Sequence, residues 1–279
     1  MSNDEDDGSP KIYLLPNLMT AGNLFCGFLA TLKILEGVMA VRFQTATTGL
    51  DVGAPYFKFA IGCILAACVF DLLDGRLARL GGTDSPFGRE FDSLADIVSF
   101  GVAPALMVSR VVLRDFDRIG WLIASVYLIC GAMRLARFNC IAAANSAKAS
   151  KEFKGFPIPA AAGLVASITL LLLWLNNDQV EHGLTRWVLP PLLLFLSWMM
   201  FSSFKYPSFK NINWRTTRSV PKFLGILGFI WLTVAYYQWM LATIFISYLL
   251  YGFLRPFLSR KMKESIEEEV EDEEDEPAK

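Results

Sequence analysis

Long apolar runs alternate with short polar stretches along most of the chain. The runs fall at about 14–36, 57–75, 91–113, 119–138, 157–176, 187–204 and 223–254. A helix needs roughly 20 apolar residues to cross the hydrocarbon core of a bilayer, and most of the runs reach that length. The last run would form a helix of roughly 48 Å, so we divide it near Tyr236–Gln238. The pattern predicts an all-α, polytopic membrane protein with about eight transmembrane helices.

Charged residues are distributed unevenly between the ends and the body of the chain. Residues 1–10 and 264–279 contain 14 of the 27 acidic residues but one of the 26 basic residues. We expect acidic disordered tails at 1–11 and 259–279, flanking one membrane domain at 12–258. The body keeps a charge of roughly +12, which suits anionic lipid headgroups and phosphorylated substrates. We expect no nucleic-acid partner.

The lysines and arginines of the loops predict how the spans are oriented. The loops after the fourth and sixth predicted spans and the end of the last span are rich in them. The positive-inside rule places these segments and both termini in the cytoplasm. Arg110, Arg114 and Arg118, after the third span, are an exception. We expect an integral protein of the plasma (inner) membrane, with the polar stretch between the second and third spans on the cytoplasmic side.

Four aspartates stand at the facing ends of the second and third apolar runs. They are Asp71 and Asp74 in one and Asp92 and Asp96 in the other. Each pair shares a helix face, and the glycine-rich linker between the runs can turn the chain back so that the two faces meet. Ionisable groups at membrane depth are costly and mark function. Carboxylates without His or Cys favour Mg²⁺, Mn²⁺ or Ca²⁺. The alternative is a set of solvated aspartates at helix ends.

Small and cationic residues follow the first aspartate pair. Gly75 and Ala78 lie on the same helix face as the aspartates, where they leave room for a nucleotide or for close helix packing. Arg79 is a planar cation beside the acids and suits a phosphate group. The residue types therefore fit a phosphate site.

The whole stretch resembles a known signature. It reads Asp71-x2-Asp74-Gly75-x2-Ala78-Arg79-x8-Gly88-x3-Asp92-x3-Asp96, which is similar at every fixed position to the motif of the CDP-alcohol phosphotransferase family. The resemblance implies a homodimer, and two divalent metals, Mg²⁺ or Mn²⁺, in each active site. The metal ligands it implies are Asp71, Asp74, Asp92 and Asp96. Asp96 would also be the catalytic base that deprotonates the attacking hydroxyl.

The same resemblance implies a binding site for a CDP-linked lipid. Its residues would be Asp71, Gly75, Ala78, Arg79, and Ser85 as the best match for a polar residue of the linker. The pattern Pro16-Asn17-x2-Thr20 resembles a nucleotide-contacting segment of the family, which adds Asn17 and Thr20. The alternative is a helix start with Asn17 as its cap.

Further stretches bear on the acceptor alcohol. Residues 15–30, 91–105, 131–139 and 155–163 resemble the phosphatidylserine synthase branch of the family, which implies CDP-diacylglycerol as donor and L-serine as acceptor. Arg134, Arg137 and Asn139 could hold the serine carboxylate; alternatively the two arginines snorkel to lipid phosphates.

Glycerol 3-phosphate, inositol or choline stays open as the acceptor. We expect a single direct displacement, although a covalent intermediate on an aspartate is not excluded. A cation transporter with the aspartates as its ion path is the alternative from another class, and it lacks the internal repeats of many transporters.

Overall fold

The computed structural model describes residues 14–45, 52–81, 85–112, 117–144, 153–175, 185–202, 205–206 and 220–254. Both predicted acidic tails lie outside these ranges. The helices are α1 Leu14–Ala40, α2 Ala54–Gly81, α3 Pro86–Asp96, α4 Ala103–Met107, α5 Asp117–Ala144, α6 Ile158–Leu175, α7 Thr185–Phe201, α8 Val220–Ala235 and α9 Tyr237–Leu254. Two short strands, β1 Phe153–Lys154 and β2 Lys205–Tyr206, complete the described elements.

Six helical stretches in the described part of the chain are long and apolar enough to cross a membrane. They are Leu14–Phe43, Ala54–Ala78, Pro86–Arg110, Arg118–Ile141, Ile158–Leu175 and Tyr237–Leu254. The prediction of an all-α polytopic fold is therefore confirmed. The last apolar run is broken at Tyr236, as expected, because α8 ends at Ala235 and α9 begins at Tyr237. The count of eight crossings stays a prediction, since α7 and α8 are shorter than the six spans.

A stripe of mostly small residues lets α1 pack closely into the bundle. The buried residues of this helix recur every three or four positions and are Thr20, Asn23, Gly27, Ala30, Ile34 and Gly37. A Cβ atom at Gly37 would lie 2.8 Å from the ring of Phe57 in α2, so glycine is required there for the two helices to touch. Small residues are the usual means of close helix approach in membranes. The opposite face of α1 exposes large apolar residues, such as Leu18 and Phe25, toward lipid.

The third span is not a regular α-helix. Between α3 and α4 it passes through a π-helical segment, Ile97–Val102, and after α4 through a second, Val108–Val112. Ser85 caps the start of α3, where its Oγ accepts a hydrogen bond of 3.0 Å from the backbone N–H of Gly88 and Pro86 takes a first-turn position. Tyr127 of α5 donates a 3.0 Å hydrogen bond to the backbone carbonyl of Phe100 in the first π segment. The first π segment begins directly after Asp96, at the end of the span that carries the aspartates. Segments of this kind often occur at functional sites.

A short clip joins the connections on either side of α6 and α7. β1 pairs antiparallel with β2, and the N–H of Phe156 donates a 3.1 Å hydrogen bond to the carbonyl of Met199. Gly155 has φ +85°, and a Cβ there would lie 2.5 Å from the carbonyl oxygen of Met200, so both conformation and space select glycine. The clip places the segments that follow α5 and α7 at one end of the bundle.

Candidate active site

Three carboxylates converge where the second span ends and the third begins. Asp71 and Asp74 lie in the last turns of α2 and Asp92 lies in α3; one oxygen of each falls within 4.8 Å of the others. Asp74 is buried, and Asp71 and Asp92 are half-buried. Three oxygen donors from two helices, without His or Cys, fit a hard divalent cation. Three of the four predicted aspartates, from the two helices expected to carry them, therefore come together.

Asp96 lies one turn beyond Asp92 and next to this group. Its carboxylate is only 5% exposed and accepts a 3.0 Å hydrogen bond from Nδ2 of Asn23 in α1. It interacts electrostatically with the other three aspartates, but it is not a member of the group whose oxygens lie within 4.8 Å. The geometry thus distinguishes a cluster of three carboxylates from a fourth, which is buried beside it. The ligand and base roles of Asp96 stay predictions.

Two polar side chains of α1 hold aspartates of the neighbouring helices. Thr20 donates a 3.0 Å hydrogen bond to Oδ2 of Asp74, and Asn23, three residues later, holds Asp96. Ser99 donates a 2.9 Å hydrogen bond to the backbone carbonyl of Asn23. A Cβ at Gly27 would lie 2.5 Å from Cα of Ser99, so glycine allows α1 to approach the third span here. The sequence predicted Thr20 as a nucleotide contact, whereas the structure places its hydroxyl 3.0 Å from Oδ2 of Asp74 and 3.2 Å from the backbone carbonyl of Pro16.

Sequence reasoning missed Asn23 and Ser99. The signal available was weak: Asn23 is a polar residue inside an apolar run, one turn after Thr20, and polar side chains within spans usually find partners on other helices. Ser99 lies one turn after Asp96. Neither position belongs to the motif that singled out the aspartates.

The predicted CDP contacts Asn17 and Ser85 come together in the structure, although they derive from different spans. Both lie beside Gly88, since a Cβ at that position would be 3.2 Å from Oγ of Ser85 and 3.4 Å from Oδ1 of Asn17. Asn17 is not a helix cap, because α1 begins at Leu14. Its Nδ2 is buried without a hydrogen-bond partner among the described residues. A buried, unsatisfied donor at this corner fits a ligand that carries acceptor oxygens.

The other predicted CDP contacts lie on α2. Gly75 and Ala78 are half-buried and follow the two aspartates on that helix. The side chain of Arg79 lies outside the described residues, although its backbone is part of α2.

The structure separates the three predicted acceptor residues of α5. Arg134 turns into the bundle: its Nε is buried without a hydrogen-bond partner in the described part of the chain, and the residue lies near Asp96 and near Tyr248 of α9. Arg137 is exposed. Asn139 donates a 2.9 Å hydrogen bond to Oγ of Ser93, which ties α5 to α3. Only Arg134 is therefore brought to the aspartates, and Tyr248 is a neighbour that the sequence did not indicate.

Comparison with known proteins identifies relatives of this chain. A family model described as CDP-alcohol phosphatidyltransferase matches residues 13–201. A CDP-diacylglycerol–serine O-phosphatidyltransferase of Helicobacter pylori is 35% identical over 248 residues, which is 88% of this chain and 91% of that protein. A protein of the same name from Methanocaldococcus jannaschii is 32% identical over 82% of this chain and 92% of its own length.

An archaetidylserine synthase of Methanothermobacter thermautotrophicus is 31% identical over 69% of each chain. The residues matched by the family model include the aspartates of α2 and α3 and the two polar residues of α1 that hold them, while Tyr248 of α9 lies beyond that range. The chain, with its aspartates between two membrane helices, belongs to the CDP-alcohol phosphatidyltransferase family.

Proposed function

We propose that the chain transfers the phosphatidyl group of CDP-diacylglycerol to the hydroxyl of L-serine, giving phosphatidylserine and CMP in phospholipid biosynthesis. Family membership supports the reaction class, and the names of the relatives from Helicobacter pylori and Methanocaldococcus jannaschii support serine as the acceptor. The observation that carries the proposal is the convergence of Asp71, Asp74 and Asp92 within 4.8 Å in a membrane protein.

The carboxylate cluster is the proposed metal centre. Divalent metal, Mg²⁺ or Mn²⁺ and two ions per site, would neutralise charge on the phosphoryl oxygens and on the departing CMP. Asp71, Asp74 and Asp92 would hold it, with Asp96 as a further ligand. Thr20 supports this role by fixing the orientation of Asp74 through its hydrogen bond. Outer hydrogen bonds of this kind orient metal-binding carboxylates.

Asp96 is the proposed general base. The serine hydroxyl attacks the phosphorus of the phosphatidyl group, the bond from phosphorus to the CMP oxygen breaks, and the hydroxyl proton passes to Asp96. The Asn23 amide donates to one oxygen, Oδ1, of this carboxylate, which leaves the other oxygen to receive a proton. We propose a direct displacement without a covalent enzyme intermediate.

The donor and the acceptor approach the cluster from different helices. Asn17, Ser85, Gly75, Ala78 and Arg79 are the proposed CDP side, with the buried amide of Asn17 as its best supported donor. Arg134 is the proposed partner of the serine carboxylate, because its Nε is buried without a hydrogen-bond partner in the described residues and a guanidinium pairs well with a carboxylate. Asn139, bonded to Ser93, would act at the rim of this side, whereas the exposed Arg137 would take the alternative role of an anchor at lipid phosphates.

The wider setting belongs to the proposal as well. We infer an integral enzyme of the plasma (inner) membrane, with its active site and both termini in the cytoplasm, working as a homodimer. The loops rich in lysine and arginine support this orientation.

Release of CMP from CDP-diacylglycerol by the purified full-length chain tests the function. Serine, glycerol 3-phosphate, inositol and choline are each offered with Mg²⁺, with Mn²⁺ and with a chelator. We expect metal-dependent CMP release with serine and formation of phosphatidylserine. Absence of CMP with every acceptor would refute the enzyme, and preference for another acceptor would refute serine.

Arg134→Gln, with Arg137→Gln as a matched control on the same helix, tests the acceptor site. Loss of a charge-assisted contact costs about 1.5–3 kcal/mol, so we expect the KM for serine to rise about 10-fold to 150-fold in Arg134→Gln. The KM for CDP-diacylglycerol and the Tm should change little, and Arg137→Gln should stay close to the parent. An unchanged serine KM in a folded Arg134→Gln variant would rule out this contact.

A further inference from the structure

A cavity lies at the other end of the bundle from the aspartates. Its volume is about 390 Å³, and its lining comes from the end of α1, the end of the third span and the start of α5. This volume falls within the usual range of small-molecule sites. The cavity shares no residue with the candidate active site.

Two exposed cations line this cavity. Arg42 and Arg110 both line it, and each stands on a π-helical segment, Val41–Thr45 and Val108–Val112. Neither forms a salt bridge with a carboxylate among the described residues. Two arginines from different spans that line one cavity, with no salt bridge to an acid in the described part of the chain, provide a binding site for an anion.

The position of the cavity is across the membrane from the active site. Along α1 and its π-helical extension, Thr20 and Arg42 are separated by 22 residues, or roughly 33 Å at 1.5 Å per residue. This distance is close to the thickness of the bilayer core. Arg110 is also the last residue of its candidate span. The two guanidinium groups thus lie at the level expected for the headgroups of the opposite leaflet.

The rest of the lining suits an amphiphile. Val38, Leu106 and Leu128 form apolar walls, and Trp121 adds an indole ring at the end of a span, where aromatic residues commonly meet the interface. A free phosphate ion would gain nothing from the apolar walls, whereas the glycerol and first acyl carbons of a lipid would be desolvated there. The predicted orientation also leaves Arg110 as an exception to the positive-inside rule, and a bound anion accounts for a cation on that side.

We propose that this cavity binds the phosphodiester headgroup of an anionic phospholipid in the leaflet opposite the active site. Arg42 and Arg110 hold the phosphate, and the apolar walls cover the adjoining part of the lipid. The site is separate from the proposed reaction, so it does not depend on the identity of the acceptor alcohol.

Native mass spectrometry of the full-length chain in detergent tests the site. The probes are phosphatidylglycerol, phosphatidylcholine with the same acyl chains, and inorganic phosphate. At about 1 kcal/mol for each arginine near an anionic headgroup, we expect phosphatidylglycerol binding to weaken about fivefold in Arg42→Gln and in Arg110→Gln, and about 30-fold in the double variant. Phosphatidylcholine and inorganic phosphate should bind weakly to every variant.

Arg118→Gln is the matched control, because Arg118 is exposed at the same end of the bundle but does not line the cavity. It should bind phosphatidylglycerol as the parent does. The double variant Arg42→Lys with Arg110→Lys keeps the charge and should retain most of the binding, which separates loss of the site from loss of the fold. Equal binding by all variants, an equal loss in Arg118→Gln, or inorganic phosphate binding as tightly as the lipid would each overturn the proposal.

Discussion

The two halves of the helix bundle satisfy their buried polar side chains in different ways. In the first three spans, Thr20 and Asn23 donate across helices to aspartates, and Ser99 donates across to the backbone of α1. In α6, by contrast, Thr169 donates to the carbonyl of Val165, four residues earlier on the same helix. The other buried hydroxyls of α6 and α7, those of Ser167 and Ser197, also bond within their own helices.

The difference separates the part of the bundle that positions chemistry from the part that supports it. A hydroxyl bonded to its own helix fixes nothing between helices, whereas a bond between two helices sets their register and the orientation of both side chains. The C-terminal half packs by shape instead, as where a Cβ at Gly163 would overlap the ring of Phe245. Trp174 and Trp239 meet edge to face with centroids 5.5 Å apart. Polar bonds between helices thus mark the functional end of this fold.

The largest expected effect is at the carboxylate cluster. Asp74→Asn keeps the shape of the side chain and can still accept from Thr20, but it removes a charge from the proposed metal site. Since metal ions supply several kcal/mol of transition-state stabilisation, we expect CMP release to fall by about 10³-fold or more. Binding of Mn²⁺, followed by electron paramagnetic resonance, should weaken in parallel. Activity within tenfold of the parent would contradict the assignment.

Asp96→Asn should distinguish the role of the fourth carboxylate from the role of the other three. Loss of a general base lowers kcat by about 10²-fold to 10⁴-fold. Because Asp96 lies beside the cluster of three, we expect Mn²⁺ affinity to fall less in this variant than in Asp74→Asn. Parallel measurements of kcat and Mn²⁺ affinity decide this. Equal losses of metal affinity in the two variants would make Asp96 a full ligand and weaken its separate role.

Thr20→Val removes the hydrogen bond that α1 gives to Asp74 while keeping the side-chain volume. Loss of an outer hydrogen bond to a metal ligand usually lowers metal affinity or activity about 10-fold to 100-fold. We expect a decrease in that range, with a greater Mn²⁺ requirement and little change in Tm. Recovery in Thr20→Ser, which restores the hydroxyl, would support the positioning role, and full activity in Thr20→Val would exclude it.

The same substitution in the other half should have the smallest effect. Thr169 is fully buried and bonds within α6, so Thr169→Val removes no contact between helices. We expect activity within about twofold of the parent, because the site lies on other helices, and a change in unfolding free energy of about 1 kcal/mol or less. A loss as large as that of Thr20→Val would show that the two halves are not distinct in the way described above.

The sequence predicted the aspartates themselves better than the residues that hold them in place. Helical spacing and a turn-forming linker are local features, and they brought Asp71, Asp74 and Asp92 together correctly. The partnership of Asn23 with Asp96 depends on how α1 packs against the third span, which no local pattern contains. The π-helical segment at Ile97–Val102, which bonds with α1 and α5, was equally absent from the local pattern.

Two other expectations show the same limit. The break at Tyr236 followed from length alone, since a single helix would have been too long for a bilayer. Arg134 and Arg137 looked equivalent by spacing, but only tertiary packing turns the first inward and leaves the second exposed. Periodicity defines a face of a helix, whereas the depth of each side chain depends on the neighbouring helices.

The pairing of β1 with β2 also has a consequence for the order of assembly during synthesis. The strands are about fifty residues apart in the chain, and translation at 5–20 residues per second separates them by roughly 3–10 s. Within that interval α1, α2, α3 and α5 have already been made, so the aspartates can meet before the clip forms. The connection that leads into α6 is fixed only after α7 has followed it out of the ribosome. The end of the bundle that carries the aspartates is therefore able to form before the C-terminal helices have been synthesised.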